Sequence, residues 1–391
     1  MERIGIFGGS FDPPHIGHIQ SAQQSAKALG LDRLLMIPAA QPPHKSGCNV
    51  SAEHRLRMLQ IACGDDPVLQ PSDMELRRVG PSYTYETVEA VRTAYPDAEV
   101  YLLMGSDMFL SILSWKCPER ILARATLAVF CRGDKGEKEK ISQQKAALEQ
   151  QGHKVCVVEN DVVQISSTQM RRLLAFHCAD SFLPAGVGDY IRENDLYNVN
   201  ANWKNLPMEQ LEKVVISLLN PNRVNHVLGC RDTAARLARI WGVDETDAAR
   251  AGMLHDVTKA IDGPLQLTLC KAYGKVLSAF SQKYPKTLHA LTGSLVAERI
   301  FGENEKVVSA IECHTTGKGN MTMLEKIIYV ADYMEPNRDF PGVDKLRHYA
   351  ETDMDAALKL GLEMTLEHLK RQGAEVSPES KEALEYLNVK V

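Results

Sequence analysis

The sequence predicts two domains of different class, an α/β domain with a parallel sheet followed by an all-α domain. Up to about residue 195, short apolar runs alternate with amphipathic stretches, and strands that alternate with helices are typical of crossover units. Beyond residue 208, helical periodicity continues almost without strands. The 391 residues are enough for two hydrophobic cores. We therefore expect the first domain over 1–197, a linker over 198–207 and the second domain over 208–391.

The elements of the first domain follow from this pattern. Five buried strands are predicted at the apolar runs RIGIF, LLMIP, VYLLMG, TLAVFC and KVCVVE. The amphipathic stretches between them predict helices at Ile16–Leu29, Ala52–Ala62, Tyr85–Ala94 and Glu137–Gln151. The segment LYNVNANWKNLPM is polar and rich in Asn, which favours a linker. In the second domain, helical periodicity is clear in RVNHVLGCRDTAARLARIW, LEKIIYVADYM and MDAALKLGLEMTLEHLK.

Composition and charge narrow the class of protein. The net charge is −5 and no basic block offsets it, which argues against a nucleic-acid-binding protein. The nine cysteines form no CxxC pair, as expected in a reducing compartment. No apolar run approaches the roughly 20 residues of a membrane helix, and the N-terminus leads into a strand without a signal peptide. We therefore expect a cytoplasmic protein that binds neither nucleic acid nor membrane.

The most informative segment is GIFGGSFDPPHIGH, at 5–18. An apolar strand leads into Gly8 and Gly9, which let the backbone approach a ligand closely. The helix that follows offers unpaired N–H groups and a positive dipole end, which suit a phosphate. His15 and His18 are three residues apart and share one face of that helical turn. Both imidazoles can therefore reach the same polyphosphate.

Further segments of the first domain support a nucleotide site. Lys45 lies on the Pro-rich loop AQPPHK after the second strand. The tripeptide GSD at 105–107 follows a strand, at the carboxyl end where open α/β sheets bind ligands, and Trp115 comes shortly after it. In ISSTQMRR, the hydroxyls of 166–168 precede a helix and Arg171 lies one turn inside it. Such hydroxyls can cap the helix and also bind phosphate.

These motifs resemble the nucleotidylyltransferase superfamily, which has HxGH and ISSTxxR, over residues 1–195. GGSFDPPHIGH, PPHK, YTYET, GSD and SW are similar to the bacterial nicotinate-nucleotide adenylyltransferases, which have a Rossmann-like fold. The resemblance implies ATP and nicotinate mononucleotide as substrates, with Mg²⁺ bound beside ATP. It also implies that Trp115 stacks on the pyridine ring, although Lys116 stands where the family often has an aromatic residue. Pantetheine-phosphate adenylyltransferase shares HxGH and remains an alternative.

The same resemblance implies roles for individual residues of the first domain. The residues that would hold the triphosphate and act in catalysis are His15, His18, Lys45 and Arg171. The residues that would bind ATP or the mononucleotide are Gly8, Gly9, Ser10, Phe11, Thr84, Gly105, Ser106, Asp107, Trp115, Ser166, Ser167 and Thr168.

The second domain carries histidines and aspartates that suit a metal centre. The adjacent pair His255 and Asp256 can point to one centre from one helix, and the carboxylate can bridge two ions. Imidazoles and a carboxylate from other helices would complete a nitrogen and oxygen site suited to iron, manganese or zinc. Those candidate ligands are His226, His289, His314 and Asp332. Two such ions can lower the pKa of a water and hold a phosphate for in-line attack.

The order H…HD…H…H…D resembles the HD superfamily of metal-dependent phosphohydrolases, and LHDVTK is similar to its HDxxK variant. Over 205–391, the segments AGMLHD, HTTG and ADYMEPNR resemble bacterial HD proteins assigned as symmetrical bis(5′-nucleosyl)-tetraphosphatases. That resemblance implies a di-iron centre that splits diadenosine tetraphosphate into two ADP.

The resemblance also implies how the ligands divide. One ion would be held by His226, His255, Asp256 and Asp332, and the other by Asp256, His289 and His314. Asp256 is thus the bridge and a catalytic residue, and the residues that would contact phosphate are Lys259, Thr315 and Arg338.

Two alternatives remain for the second domain: another HD nucleotide phosphohydrolase, or a metal-stabilised module without activity. The sequence leaves open whether the chain forms a homo-oligomer, which metal it binds and whether nicotinamide mononucleotide is also accepted.

Overall fold

The computed structural model describes residues 1–41, 48–78, 80–131, 135–159, 163 and 165–389. The chain divides into two compact units, Met1–Asn200 and Ala201–Val391. The division falls inside the segment that the sequence marks as a linker. Nine cysteines lie in the described part of the chain and no disulfide joins them. None of the described helices is long and apolar enough to cross a membrane.

The first unit is built on a six-stranded sheet whose strands are all parallel. The strands, in chain order, are β1 Arg3–Gly9, β2 Arg33–Pro38, β3 Leu69–Pro71, β4 Glu99–Gly105, β5 Thr126–Cys131 and β6 Val155–Glu159. Their order across the sheet is β3-β2-β1-β4-β5-β6. This confirms the predicted parallel α/β class, and five of the six strands are the predicted ones. The sixth, β3, is the three-residue run LQP, which has no apolar run that could reveal it.

Helices connect these strands. Those of the first unit are α1 Ile16–Leu29, α2 Ala52–Cys63, α3 Thr84–Ala94, α4 Ser106–Ser111, α5 Pro118–Leu122, α6 Lys135–Gln150, α7 Ser167–Ala175 and α8 Val187–Glu193. Each of the four predicted helices is present, with its ends within two residues of the prediction. Helix α1 matches at both ends because an extended His15 starts it and Gly30, at φ +60°, ends it in the left-handed region.

Apolar side chains cover both faces of the sheet. On β1, Ile4 and Ile6 belong to one hydrophobic cluster, whereas Phe7 belongs to the cluster on the opposite face. A sheet with this strand order binds ligands where the chain direction across the sheet reverses, between β1 and β4. Gly8 and Gly9 end β1, and Gly105 ends β4. The fold therefore brings two of the sequence motifs to one crevice.

The second unit is helical, which confirms the second half of the fold prediction. Its helices are α9 Met208–Leu218, α10 Val224–Trp241, α11 Glu245–Leu254, α12 Gly263–Ala272, α13 Ala279–Lys283, α14 His289–Val296, α15 Glu305–Glu312, α16 Met323–Met334, α17 Val343–Thr352, α18 Met354–Arg371 and α19 Pro378–Val389. A π-helical turn, Ala297–Phe301, continues α14. Among the residues described in this unit there is no strand.

Helix α16 is the centre of the second unit. Its residues from Leu324 to Ala331 are all buried, so it is covered on every side. Helices α10, α11, α15 and α18 pack against it. Asp332 follows directly on this buried stretch, which places its carboxylate close to the middle of the helical unit.

Candidate active sites

The loop after β1 folds back onto the sheet. Phe11 is fully buried, and its ring lies edge-on to Phe7 and to His18, with centroid distances of 5.7 and 5.0 Å. A β-carbon on Gly9 would lie 3.2 Å from the Phe11 ring, so a larger residue there would push against it. The Phe11 ring therefore packs between β1 and α1 and holds the loop against the sheet.

The two histidines of HxGH lie against each other at the start of α1. Their rings are stacked, with centroids 3.6 Å apart and an interplanar angle of 21°. The backbone N–H of His15 donates to Nδ1 of His18 at 3.2 Å. A neutral imidazole that accepts at Nδ1 carries its proton on Nε2, so His18 has an Nε2–H donor for a phosphate oxygen.

The ISSTxxR motif is bonded directly to this loop. Arg171 donates from Nη1 to the backbone carbonyl of Asp12 at 2.7 Å and from Nη2 to Thr168 Oγ1 at 3.1 Å. Ser167 Oγ donates to the carbonyl of Pro13 at 3.0 Å. Ser166 caps α7 by accepting from the N–H of Gln169 at 3.2 Å. The HxGH loop and the ISSTxxR helix, which are distant in sequence, are thus hydrogen-bonded to each other.

The buried carboxylate of Asp12 holds the loop after β1 in place. Asp12 is 3% exposed, and its Oδ2 accepts from the backbone N–H of Asn49 at 2.8 Å and from Nδ2 of Asn49 at 3.1 Å. The hydroxyl of Tyr197 donates to the other oxygen at 2.8 Å. Burial and the charge of Asp12 raise the pKa of Tyr197, so the hydroxyl keeps its proton. The sequence analysis missed this function of Asp12 and its partners, because no local pattern joins residues 12, 49 and 197.

A cavity of about 240 Å³ opens beside the loop. The candidate residues that line it are Gly8, Gly9, Ser10, Thr84, Gly105 and Trp115, together with Tyr83 and Lys116. Ser10 is positioned by buried Arg55, which donates to its carbonyl at 2.8 Å.

Two candidates of the GSD motif lie outside the cavity lining. Ser106 is buried and donates to Glu137, and Asp107 is exposed at the start of α4. The predicted triphosphate residue Lys45 lies outside the described residues.

In the second unit the structure brings all six predicted ligands together. Nε2 of His226 lies 3.1 Å from Oδ1 of Asp332 and 3.3 Å from Nε2 of His255. His226, His255 and Asp332 form one group whose ligand atoms all lie within 4.8 Å of one another. His255, Asp256 and His314 form a second such group.

The two oxygens of Asp256 face different histidines. Oδ2 lies 3.5 Å from Nε2 of His255 and 3.7 Å from Nε2 of His226. Oδ1 lies 3.5 Å from Nε2 of His289 and 3.8 Å from Nε2 of His314. The carboxylate is 1% exposed and stands between two pairs of imidazoles, which is the arrangement a bridging ligand requires.

Each imidazole is oriented by an acceptor behind it. Nδ1 donates to a backbone carbonyl three residues earlier in three cases, at 2.7 Å for His255, 2.9 Å for His289 and 2.7 Å for His314. Nδ1 of His226 donates instead to Oε1 of Glu335 at 3.1 Å. Such bonds direct the lone pair of Nε2 toward the centre, as in metal-ligating histidines. The donor set therefore fits divalent metal ions.

Glu335 is a supporting residue that sequence reasoning missed. It is 1% exposed, and its Oε2 accepts from the backbone N–H and Nδ2 of Asn337, both at 2.8 Å. A β-carbon on Gly229 of α10 would collide with that oxygen, so a larger residue there would displace the carboxylate from its present position. The segment YMEP contained the residue, but nothing local linked it to His226.

The electrostatics keep the carboxylates charged and act differently on two of the imidazoles. Burial opposes protonation of His255, yet Cys230 and Asp256 raise its pKa well above the usual range. Burial opposes ionisation of Asp256, yet His255, His314 and Lys259 hold its pKa well below the usual range. Burial likewise opposes ionisation of Asp332, but the hydrogen bond from His226 keeps its pKa low. Burial and the neighbouring charge of Lys259 lower the pKa of His289 to about 3, so this imidazole is neutral at pH 7.

Cations and a hydroxyl surround the carboxylates. Arg338 Nη2 lies 2.8 Å from Oδ1 of Asp332, and Arg223 is hydrogen-bonded to Asp256. Lys259 Nζ lies 2.8 Å from Nε2 of His289, and Thr315 Oγ1 is 3.1 Å from the same atom. The predicted phosphate contacts Lys259, Thr315 and Arg338 are thus all at the centre. Arg223 was not predicted, although it lies one helical turn before His226.

The comparisons with known proteins match this division. Residues 6–173 match the family described as cytidylyltransferase-like, and residues 223–337 match the HD domain. A nicotinate-nucleotide adenylyltransferase relative from Oceanobacillus iheyensis is 36% identical over 203 residues, which is 52% of this chain and 100% of that protein. One from Thermus thermophilus is 38% identical over 196 residues, covering 50% of this chain and 99% of that protein. The first half of this chain belongs to the nicotinate-nucleotide adenylyltransferase family.

The second half of the chain belongs to the HD superfamily. A crystal structure from Clostridium acetobutylicum, described as an HD superfamily hydrolase involved in NAD metabolism, shares 36% identity with this chain. It covers 48% of this chain and 99% of its own, with a TM-score of 0.47. One chain thus joins an adenylyltransferase-family half to an HD half.

In the adenylyltransferase-family half, Tyr197→Phe tests the function of the buried carboxylate. We expect a loss of about 1–3 kcal/mol of local stability, because Asp12 loses one of its buried donors. Hydrogen exchange of the full chain should be faster in peptides covering 10–20 and 165–176. The matched control is Tyr190→Phe, whose hydroxyl bonds His54 at 2.8 Å. Equal exchange of these peptides in both variants would contradict the assignment.

Proposed function

We propose that the first half transfers AMP from ATP to nicotinate mononucleotide, giving deamido-NAD and pyrophosphate. The observation that carries this proposal is the direct bonding of the HxGH loop to the ISSTxxR helix through Arg171 and Ser167. The family of the first half supports it. In this proposal the pyridine ring occupies the cavity beside the loop, which is lined in part by Trp115.

In this reaction the 5′-phosphate oxygen of the mononucleotide attacks the α-phosphorus of ATP, and the bond to the pyrophosphate oxygen breaks. No side chain acts as a nucleophile, so catalysis depends on positioning and on charge stabilisation. His18 donates from Nε2 to a phosphate oxygen, and Arg171 holds the loop beside it. We assign triphosphate binding to His15 and Lys45 as well. Mg²⁺ accompanies ATP and neutralises the β- and γ-phosphates.

For the second half we propose symmetrical hydrolysis of diadenosine tetraphosphate to two ADP, at a dinuclear centre that we expect to hold iron. The placement of Asp256 between two pairs of imidazoles carries this proposal. Two bound divalent ions supply a water of lowered pKa and polarise the phosphate. In the hydrolysis, a water oxygen would bond to the phosphorus of one of the two middle phosphates while the bond from that phosphorus to the bridging oxygen breaks. The bridging oxygen would leave with the other ADP, and the proton of the water would pass to solvent.

The cationic groups of the HD half bind the phosphates in this proposal. Arg338 and Arg223 stand beside the two ligand carboxylates, and Lys259 and Thr315 stand beside His289. Guanidinium groups match the geometry of phosphate oxygens through paired N–H donors. They would orient the tetraphosphate so that its central anhydride bond meets the attacking water.

His18→Ala tests the transferase. We expect the rate of adenylyl transfer to fall at least ~100-fold, the order seen when one preorganised transition-state contact is lost. Formation of deamido-NAD and pyrophosphate from ATP and nicotinate mononucleotide is the measurement. His153→Ala, on the segment before β6, is the control histidine variant. Undiminished transfer by the His18 variant would rule out its proposed function.

Asp256→Ala tests the hydrolase. The wild-type protein, purified without oxygen, should contain about two metal ions per chain and give ADP as the sole product of diadenosine tetraphosphate. The variant should lose turnover with its helical circular dichroism retained, because Asp256 is proposed as the shared ligand. A metal-loaded wild type without turnover would indicate another HD phosphohydrolase. A variant that unfolds beside an inactive wild type would indicate a structural metal module.

Glu335→Gln tests the support behind His226. The amide still accepts the imidazole N–H but lacks the negative charge, so we expect metal affinity to fall about 10- to 100-fold. Competition with a metal chelator measures this directly. Glu325→Gln is the matched control, since Glu325 is another buried glutamate, in the first turn of α16, and is paired with Lys318 at 2.6 Å. Equal metal affinity in the two variants would contradict the assignment.

A further inference from the structure

Two charged side chains line the described wall of the first-unit cavity, Glu75 and Lys116. Glu75 is 7% exposed and already engaged: it accepts from Thr87 Oγ1 at 2.5 Å and lies 3.5 Å from Nη2 of Arg78. Its charge is therefore compensated within the protein. Lys116 is exposed, and no carboxylate of the described residues lies within 4.0 Å of its ammonium.

The Lys116 ammonium lies over the face of an aromatic ring. Nζ lies 3.9 Å from the centroid of Tyr83, which lines the same cavity. Tyr83 in turn stacks on Tyr85, with centroids 6.1 Å apart. A cation held over a ring face loses less rotamer freedom when it meets an anion. Lys116 is thus held at the wall as a preorganised positive charge.

Neighbouring groups define what this charge would meet. Trp115 precedes Lys116 and presents an aromatic surface to the same cavity. Thr84, the first residue of α3, also lines the cavity, and the side chain of Tyr83 does not cap that helix. The positive end of the helix dipole adds to the field of Lys116. A planar ring against Trp115 that carries an anionic substituent suits this wall better than one with a neutral substituent.

We propose that Lys116 is a specificity-determining residue, which favours a mononucleotide with a carboxylate on its pyridine ring over one with a carboxamide. This assignment rests on the proposed transferase function. The ammonium meets the carboxylate, while the carboxamide of nicotinamide mononucleotide offers no charge in return. Because the substituent lies away from the reacting phosphates, the contact is the same in the ground state and in the transition state. Its loss should raise KM with little change in kcat.

Lys116→Met in the full chain tests this directly. We expect kcat/KM for nicotinate mononucleotide to fall about tenfold, through KM, which corresponds to about 1.4 kcal/mol. The value for nicotinamide mononucleotide should change less than about twofold, so the ratio between the substrates falls. Lys116→Arg should restore most of that ratio, because it restores the charge. Lys154→Met, at an exposed lysine before β6, should leave both values unchanged.

A second variant separates charge from packing. Tyr83→Leu removes the ring under the ammonium and should reduce the substrate ratio in the wild-type background, but not further in the Lys116→Met background. An unchanged ratio in Lys116→Met, or an equal loss for both substrates, would overturn the assignment. If the wild-type protein forms no dinucleotide from either substrate, the proposed transferase function itself fails.

Discussion

A carboxylate taken out of water must be compensated by donors or cations around it, because its charged form is otherwise costly inside a protein. Asp12 and Asp256 are 3% and 1% exposed, and each is at the centre of one candidate site. Asp12 accepts from Asn49 and Tyr197 and has Arg171 at 3.7 Å. These partners come from three distant parts of the chain, so the carboxylate can be satisfied only when the first unit is folded. The loop after β1 takes its shape from that requirement.

Asp256 is compensated differently, and its surroundings are those expected of a metal ligand and not of a structural carboxylate. No backbone N–H or neutral hydroxyl among the described residues is seen to donate to it. Its partners are four imidazoles and the cations Arg223 and Lys259. The imidazoles are held by acceptors at Nδ1, which aims their lone pairs at the same space that the carboxylate oxygens face. Lone pairs and negative oxygens that converge on one space are stabilised there by a cation.

Features that depend on a local pattern of residues could be predicted from the sequence. The continuous apolar runs of a doubly covered parallel sheet predicted five strands. The 3.6-residue period predicted helices α1, α2, α3 and α6 of the first unit and the long helices α10, α16 and α18 of the second. Strand β3, LQP, has no such run, and it belongs to the sheet through its parallel pairing with β2. The candidate ligand residues could be predicted because each lies in a short contiguous motif. Tyr197, Arg223 and Glu335 were missed because each acts on a residue 33 to 185 positions away.

The two candidate sites differ in how they could attract phosphate. In the first, Asp12 faces the guanidinium of Arg171, and neutral donors and a helix N-terminus supply the remaining attraction for a polyphosphate. In the second, the carboxylates Asp256, Asp332 and Glu335 balance the cations Arg223, Lys259 and Arg338, which leaves little net attraction. Two divalent ions would add four positive charges to that balance. The proposed hydrolase should therefore depend on metal for substrate binding as well as for chemistry, whereas the fold of the first unit already provides the attraction on which adenylyl transfer depends.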